Sequence, residues 1–594
     1  ARTKEVEKLS QDILSKPINF DENEELILEP KLKTYPKNQE ELRNEWKKFI
    51  KYNILQEIET LNAKEQTQKE KKDSVNKFKL KDTIKLQILT PQQKQAKATD
   101  EVKDLLTSMF KRYDKRKKMD WFSVYMNAYT EVFDPHTNYF SPQDKEDFDV
   151  SFKGKVIGIG ATIQESKGKI KIGTLVVGAP AWKSKQISEG DEILKVQSKK
   201  GEEPINVSGM LVDEAVRFIR GEKGSEVVLT LRKKDGSIKE VKMIREEVAI
   251  EDTFARSIIV NSPNGKKYGF INLPGFNADF EDAKGRNASD DIKAELIKLK
   301  AQNVEGIILD LRNNGGGSLT EVVDIMGLFM KNGPVVQVKD GNGKIQVLKN
   351  KQNDPIWTGP LVIMQNELSA SASEILAGAM QDYGRAVIVG SPQSFGKGTV
   401  QTFVELNRFL NTSDDFGALK LTIQKFYRVN GKSTQLKGVD SDIPMKDIFT
   451  YEEIGERYDN YALPWDQVST SGFAPLNTLN MSNLVNNSAK RLTQNKNYQL
   501  LLESAQWKEK LDKEEKVTLN LKEFESLMKA RKEQIEKFKS LIKFNNGLNF
   551  TLHADEAKRG KTDEVFAKKS ENWLKNLKRD IYLQETVNII SEMK

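Results

Sequence analysis

The chain has 594 residues, 37% of them hydrophobic and 31% charged, with 95 Lys and Arg against 87 Asp and Glu and a net charge of +8. That length implies several domains with cores of their own, and the interleaved charges describe a solvated surface that argues against nucleic acid as a partner. There is no cysteine, which removes disulfides, Cys–zinc sites and thiol chemistry together, and no run approaches the ~18 apolar residues of a membrane span.

The chain opens at Ala1 with neither Met nor a signal-like apolar core, so it reads as a mature or trimmed chain lacking its signal peptide. Residues 1–150 are expected to form an N-terminal helical region. Glu40–Leu61, Asp100–Tyr113 and Trp121–Phe133 carry apolar residues at three- and four-residue spacing. Between the first two, Lys64–Lys103 is Lys/Gln-rich and poor in aromatics, a solvated helix or a linker. Asp134-Pro-His-Thr-Asn-Tyr-Phe-Ser-Pro142 follows as a turn, in which local hydrogen bonding is the expected role of His136.

Residues 151–247 are expected to form a small β-rich domain. Val156–Gln164, Lys169–Val177, Val227–Arg232 and Ile238–Ile244 are strand-like, Val212–Arg220 is helical, and Asp235-Gly236 marks a hairpin. With Gly178-Ala-Pro-Ala and Glu189-Gly-Asp-Glu-Ile-Leu, this order resembles a PDZ domain. Such a domain adds a peptide as an extra strand and holds its C-terminal carboxylate in a loop of backbone N–H groups. Gly158, Ile159, Gly160 and Ala161 match that loop by position. A dinucleotide site is disfavoured, because the third glycine of its fingerprint is missing and a strand follows.

Residues 248–450 read as an α/β body of βα units. Tyr268–Leu273 and Val304–Leu311 are strands, and Asp310-Leu-Arg-Asn-Asn-Gly-Gly-Gly317 turns into a helix over Leu319–Met330. The glycines serve a tight joint or expose bare N–H groups to a ligand, as one half of an oxyanion hole. No Gly-Lys-Ser/Thr follows, which disfavours a phosphate loop. Pro360–Gln365 and Ala386–Gly390 are buried strands flanking a helix over Ser371–Tyr383. Thr422–Val439 reads as a surface hairpin around Asn430-Gly431. From residue 451 a Pro/Ser/Asn-rich stretch gives way to a C-terminal helical region with helices over Asn487–Lys510 and Leu521–Phe544.

Ser371-Ala-Ser-Glu374 is a capping-box pattern. It also places Ser371 at a helix N-terminus, where the N–H of Ala372 faces a developing oxyanion if the serine is a nucleophile. A base is then required. Only two histidines exist, His136 and His553, and Lys397, set between two glycines, is the better candidate. Neutral lysine near pH 7 needs its pKa lowered by roughly 3 units, through burial rather than a carboxylate partner. Asp382 lies ~16 Å beyond Ser371 along a continuous helix, so its spacing suits support of the helix end.

Ser371-Ala-Ser-Glu-Ile-Leu-Ala-Gly-Ala-Met-Gln-Asp-Tyr-Gly-Arg-Ala386, with Phe395-Gly-Lys-Gly-Thr-Val-Gln401, resembles the carboxy-terminal processing (tail-specific) proteases, in their large periplasmic type. The resemblance implies a crotonase/Clp-protease-like core and a Ser–Lys dyad formed by Ser371 and Lys397. It further implies a charge-relay position at Asp382, supporting positions at Glu374 and Gln401, and an oxyanion hole from Gly316, Gly317 and Ala372. Here Ser391-Pro-Gln-Ser-Phe395 is one residue longer than the family's usual turn. The expectation is a serine endopeptidase of the periplasm of a Gram-negative bacterium, with no metal or cofactor, peripheral at most to the membrane. Its partners would be protein substrates with accessible apolar C-terminal tails, with an adaptor on the helical regions as a further role for those regions. The alternatives are a non-catalytic PDZ-containing binding scaffold and an acyl-transfer enzyme of related architecture.

Overall fold

The computed structural model describes residues 2–77, 88–166, 168–280, 282, 285–409, 414–476 and 480–593. Of the Lys/Gln-rich stretch, residues 78–87 lie outside the described residues, as do residues 477–479 of the Pro/Ser/Asn-rich stretch.

Two compact units divide the chain, one of residues 1–121 with 503–542 and the other of residues 122–502 with 543–594. In the first, helices Gln39–Lys77, Pro91–Lys115 and Leu521–Ile542 share a core of Ile50, Ile54, Val102, Leu106 and Phe524. Thr90 starts the middle helix as a capping box with Gln93. A short antiparallel pair, Glu25–Ile27 with Lys516–Thr518, joins the two sequence segments of this unit. That pairing is non-local, so nothing in the periodicity of the C-terminal helices announces it.

The second unit is built on a seven-stranded sheet in the spatial order Ile443–Pro444, Val387–Gly390, Leu361–Gln365, Ile307–Asp310, Lys267–Asn272, Arg256–Asn261 and Asn549–Thr551. The first five run parallel and the last two pair antiparallel. Ile307–Asp310 and Leu361–Gln365 are buried at every position, as expected for strands covered on both faces. Helices Ala288–Ala301, Leu319–Phe329 and Ala372–Asp382 share one core with the sheet. Ser318 caps the second of these helices on the N–H of Glu321. Just past the end of strand Ile307–Asp310, Arg312 is held between Asp310 and Asp580 at 2.8 and 2.7 Å.

A second, antiparallel sheet runs Ile345–Asn350, Gly333–Asp340, Ala418–Tyr427 and Thr399–Glu405, and Asn138–Phe140 adds to the edge of Ala418–Tyr427. The expected hairpin turn at Asn430-Gly431 is present, with Arg428 N–H donating to Lys432 O. It is not a surface hairpin, however, because Ser433, Thr434 and Gln435 are almost wholly buried.

The β-rich domain has five strands in the order Ala161–Ser166, Lys169–Leu175, Glu192–Gln197, Glu226–Arg232 and Ile238–Ile244, with Ile205–Asn206 beside the third. The strand expected over Val156–Gln164 is two strands, Lys155–Gly158 and Ala161–Ser166, broken where Gly160 turns at φ +69°. Lys155–Gly158 leaves the main sheet to pair with Glu246–Ala249. The helix Val212–Ile219 is held at its C-terminus by the buried Arg245 guanidinium, which donates to Phe218 O and Ile219 O. Among the described residues, no helix is long and apolar enough to cross a membrane.

Candidate active site

Strand Leu361–Gln365 ends in a tight passage that brings Ser371 to the first turn of helix Ala372–Asp382. Ser371 has φ +57° and ψ −113°, a sparsely populated conformation for a residue with a Cβ, of the kind retained where the surroundings over-determine it. Those surroundings are visible. Ala370 N–H and Ser373 Oγ both donate to Asn314 O, at 3.0 and 2.9 Å. Asn314 is itself fully buried and anchored on Leu273 O. The turn that carries Ser371 is therefore fastened to the Gly315-Gly-Gly317 turn of the neighbouring strand.

Gly316 lies directly against the serine. A Cβ built on it would sit 2.7 Å from Ser371 Cβ and 3.1 Å from Ala372 N, and its φ is +106°; both facts require glycine. Its N–H donates to Asn314 Oδ1 at 2.9 Å. With that donor engaged, Gly317 and Ala372 are left as the pair of expected oxyanion donors.

The second strand–turn presents Lys397. Gly396 and Gly398 flank it because the loop Ser433–Gly438 passes at backbone distance. Cβ atoms at the two glycines would meet Leu436 C at 3.1 Å and Gln435 N at 2.7 Å. Burial lowers the Lys397 ammonium from its ordinary 10.5 to about 8, and the nearby charge of Lys420 assists. Lys420 is lowered by burial too, with Asp134 opposing. Spacing gave no sign of Lys420, which reaches the site because Ala418–Tyr427 pairs with Thr399–Glu405 and sets it opposite Phe403.

Glu374 joins the two halves. Fully buried, it accepts Ser371 N–H at 2.8 Å and Lys397 N–H at 2.9 Å, together with Ser394 Oγ at 2.6 Å and Gly396 N–H at 2.7 Å. Burial pushes its carboxyl up to about 7, and those four donors resist. The longer turn Ser391–Phe395 is thus accommodated with Ser394 reaching Glu374. Gln401 donates to Thr399 Oγ1 and Thr422 Oγ1, at 2.9 and 3.0 Å, on the floor of the same site.

Ser371, Lys397, Gly316, Gly317, Ala372 and Gln401 line one cavity of about 750 Å³. They share it with no direct hydrogen bond between Ser371 Oγ and Lys397 Nζ. One wall is aromatic: Phe403, Phe148, Phe152 and Phe280 follow one another at centroid distances of 4.8, 5.7 and 5.8 Å. Asp382 is elsewhere. It ion-pairs with Arg428 at 2.5 Å and accepts Asn430 Nδ2 at 2.8 Å, so the structure ties it to the end of the helix and the following hairpin. Among the described residues, no group of acidic or imidazole side chains could hold a metal ion.

A second cavity, of about 640 Å³, is lined by Gly158, Ile159, Gly160 and Ala161 and by Val216 and Ile219 of the domain's helix. Its far wall comes from the C-terminal region, through Phe566, Arg559 and Lys569. No pattern in the sequence linked those residues to the peptide loop.

Four consecutive family models match the chain. They are "Tail specific protease N-terminal domain" over 1–143, "PDZ domain" over 149–232, "Peptidase family S41" over 267–445 and "C-terminal domain of tail specific protease" over 449–594. The tail-specific protease of Haemophilus influenzae is 39% identical over 397 residues, covering 66% of this chain and 56% of that protein. The carboxy-terminal processing protease CtpA of Bacillus subtilis is 30% identical over 311 residues, covering 52% and 60%. The alignments thus span less than two thirds of either relative. Among solved structures, a photosystem II D1 C-terminal processing protease is 23% identical, covering 57% of this chain and 86% of that one, with a TM-score of 0.32.

Proposed function

We propose that this chain, whose residues 267–445 match the model of peptidase family S41, is a serine endopeptidase of that family whose Ser371 attacks the peptide bond with Lys397 as general base. The observation that carries this reading is the shared cavity, in which a strained serine at a helix N-terminus, a lysine lowered to about 8 by burial, and the backbone of Gly317 and Ala372 converge. Neutral Lys397 takes the Ser371 proton as Oγ adds to the carbonyl carbon, and the N–H groups of Gly317 and Ala372 receive the oxyanion. The resulting ammonium returns its proton to the leaving amine, and water then releases the acyl group from Ser371 with Lys397 again as base. Glu374 acts on both partners through their backbones, and Asp382 stabilises the helix and hairpin.

The substrate in this reading is a protein whose accessible, apolar C-terminal tail enters the groove of the PDZ-like domain as an added strand. The 640 Å³ groove beside Gly158–Ala161 and the phenylalanine wall of the protease cavity support that choice. The setting proposed is the periplasm of a Gram-negative bacterium, where the enzyme processes or degrades envelope proteins, with an adaptor on the helical regions.

The test is cleavage of an unstructured reporter protein with an apolar C-terminal tail by the intact chain, Ser371→Ala and Lys397→Ala. Cleavage by the intact chain alone supports the mechanism, and equal cleavage by all three overturns it. Binding of the tail without cleavage by any of them turns the assignment to a peptide-binding scaffold.

A further inference from the structure

His136 belongs to the Asp134-Pro-His-Thr137 turn, for which the sequence suggested only local hydrogen bonds. The local bonds exist: Asp134 accepts His136 N–H at 2.9 Å and Thr137 Oγ1 at 2.5 Å. The imidazole does something else. His136 Nε2 lies 2.7 Å from Glu456 Oε2, across 320 residues of sequence.

Glu456 is fully buried, and a carboxylate there persists only where both oxygens are satisfied. Oε2 has His136, and Oε1 accepts Gln435 Nε2 at 2.8 Å. Gln435, also fully buried, uses its own oxygen to accept Gly398 N–H at 2.7 Å. Gly398 is the residue after Lys397. On the other side, Glu456 N–H donates to Phe395 O at 3.0 Å, and Thr434 Oγ1 donates to Lys397 O at 3.0 Å. The backbone is therefore gripped before, at and after the lysine.

We propose that His136, Glu456 and Gln435 are positioning residues for Lys397, forming one hydrogen-bonded relay from the turn ahead of the PDZ-like domain to the backbone that carries the general base. The proposal rests on the Ser–Lys reading. The turn is fixed from below as well, since Asp134 also accepts Thr422 Oγ1 at 2.9 Å, and Thr422 Oγ1 accepts Gln401. Helix Pro142–Lys153 then leads from the turn to the first strand of the PDZ-like domain. The charged and titratable groups facing Glu456 are His136, Asp459 and Lys397. The charge of Glu456 acts on Lys397 against burial and against Lys420, ahead of the charges of Glu374 and Asp134. The relay thus sets both the place of the lysine and the ease with which it loses its proton.

Two readouts test this on the full chain. In reporter cleavage, His136→Ala is expected to lower kcat by ~10- to 100-fold with KM unchanged, because displacement of a catalytic group by up to about 1 Å carries that penalty. His136→Gln, which keeps a donor toward Glu456, is expected to recover part of the loss. Glu456→Gln keeps the shape and removes the charge, so the acidic limb of its pH–rate profile should move to lower pH. The second readout is the titration of Lys397 followed by NMR, which requires no turnover and should move downward in Glu456→Gln. An unmoved titration overturns the proposal, as does a loss of kcat that merely parallels the loss of melting temperature across the variants. Failure of the intact chain to cleave, with the titration still displaced, tells against the peptidase reading and leaves the relay standing.

Discussion

The Ser371 N–H and the Lys397 N–H donate to the same oxygen of Glu374, at 2.8 and 2.9 Å. A single buried atom thereby sets the separation of Ser371 and Lys397 through their backbones, leaving both side chains unencumbered. The other oxygen holds Ser394 and Gly396.

A glutamine at this position has one acceptor oxygen and an NH₂ that would face two donors. Glu374→Gln is accordingly expected to lower kcat/KM by at least ~100-fold, in line with the penalty for a slight misplacement of a catalytic group. Binding of an apolar peptide to the PDZ-like domain should be unchanged. Parallel steady-state kinetics and peptide titration check this, and retention of full activity would show that the pair does not depend on the clamp.

Lys397 gives a pH prediction with a definite sign. Its folded value of about 8 lies below the ordinary 10.5, so activity should rise on the alkaline side of neutrality with a midpoint near 8. For stability, the unfolded chain binds the extra proton between those two values. The lysine therefore destabilises the fold below about pH 8, and the penalty fades as pH rises to 10.5. Lys397→Met should abolish cleavage yet stabilise the protein at pH 7 by about 2–3 kcal/mol. Denaturant melts at neutral and alkaline pH would show whether the gain disappears at the higher value.

Asp382 separates a relay from a strut. Its partners are Arg428 and Asn430, and both members of the ion pair are half-buried, so Asp382→Ala should cost up to about 3 kcal/mol by taking the carboxylate from the guanidinium. Asp382→Leu with Arg428→Met should regain much of that loss together with activity. The pH–rate profile of the double variant should match the parent, whereas a member of a charge relay would displace it.

Ser391 Oγ lies within hydrogen-bond reach of both Glu367 and Asp447, and its single proton serves one of the two carboxyl groups at a time. Burial and the neighbouring Asp447 charge push Glu367 from 4.5 up to about 7, and burial raises Asp447 as well. A raised carboxyl makes the folded state hold its proton longer, so stability conferred at low pH is lost as pH rises from 4.5 toward 7. Glu367→Gln should consequently raise the melting temperature above neutrality and give little change near pH 4.5. Calorimetry at the two pH values decides it.

Much of this molecule was legible as text. The all-apolar runs at Leu361–Met364 and Ile307–Leu309, the three-glycine turn, Ser371 at a helix start and Lys397 between glycines are each local, because strand burial, capping and backbone freedom depend on neighbouring residues. Composition excluded cysteine chemistry outright, and with two histidines it pointed to lysine as the base.

The partners were not legible. Lys420 acts on Lys397 through a strand register, Gln435 emerged from what read as a surface hairpin, and His136 and Glu456 meet across 320 residues. The pairing of Glu25–Ile27 with Lys516–Thr518 and the closing of the cavity beside Gly158–Ala161 by Phe566 are of the same kind. The physical reason is common to all of them. A buried charge or amide is stable only with its hydrogen bonds satisfied, and folding alone determines which distant group supplies them. Sequence by itself determined which residues could do the chemistry; tertiary structure decided what holds them in place and at what pH they act.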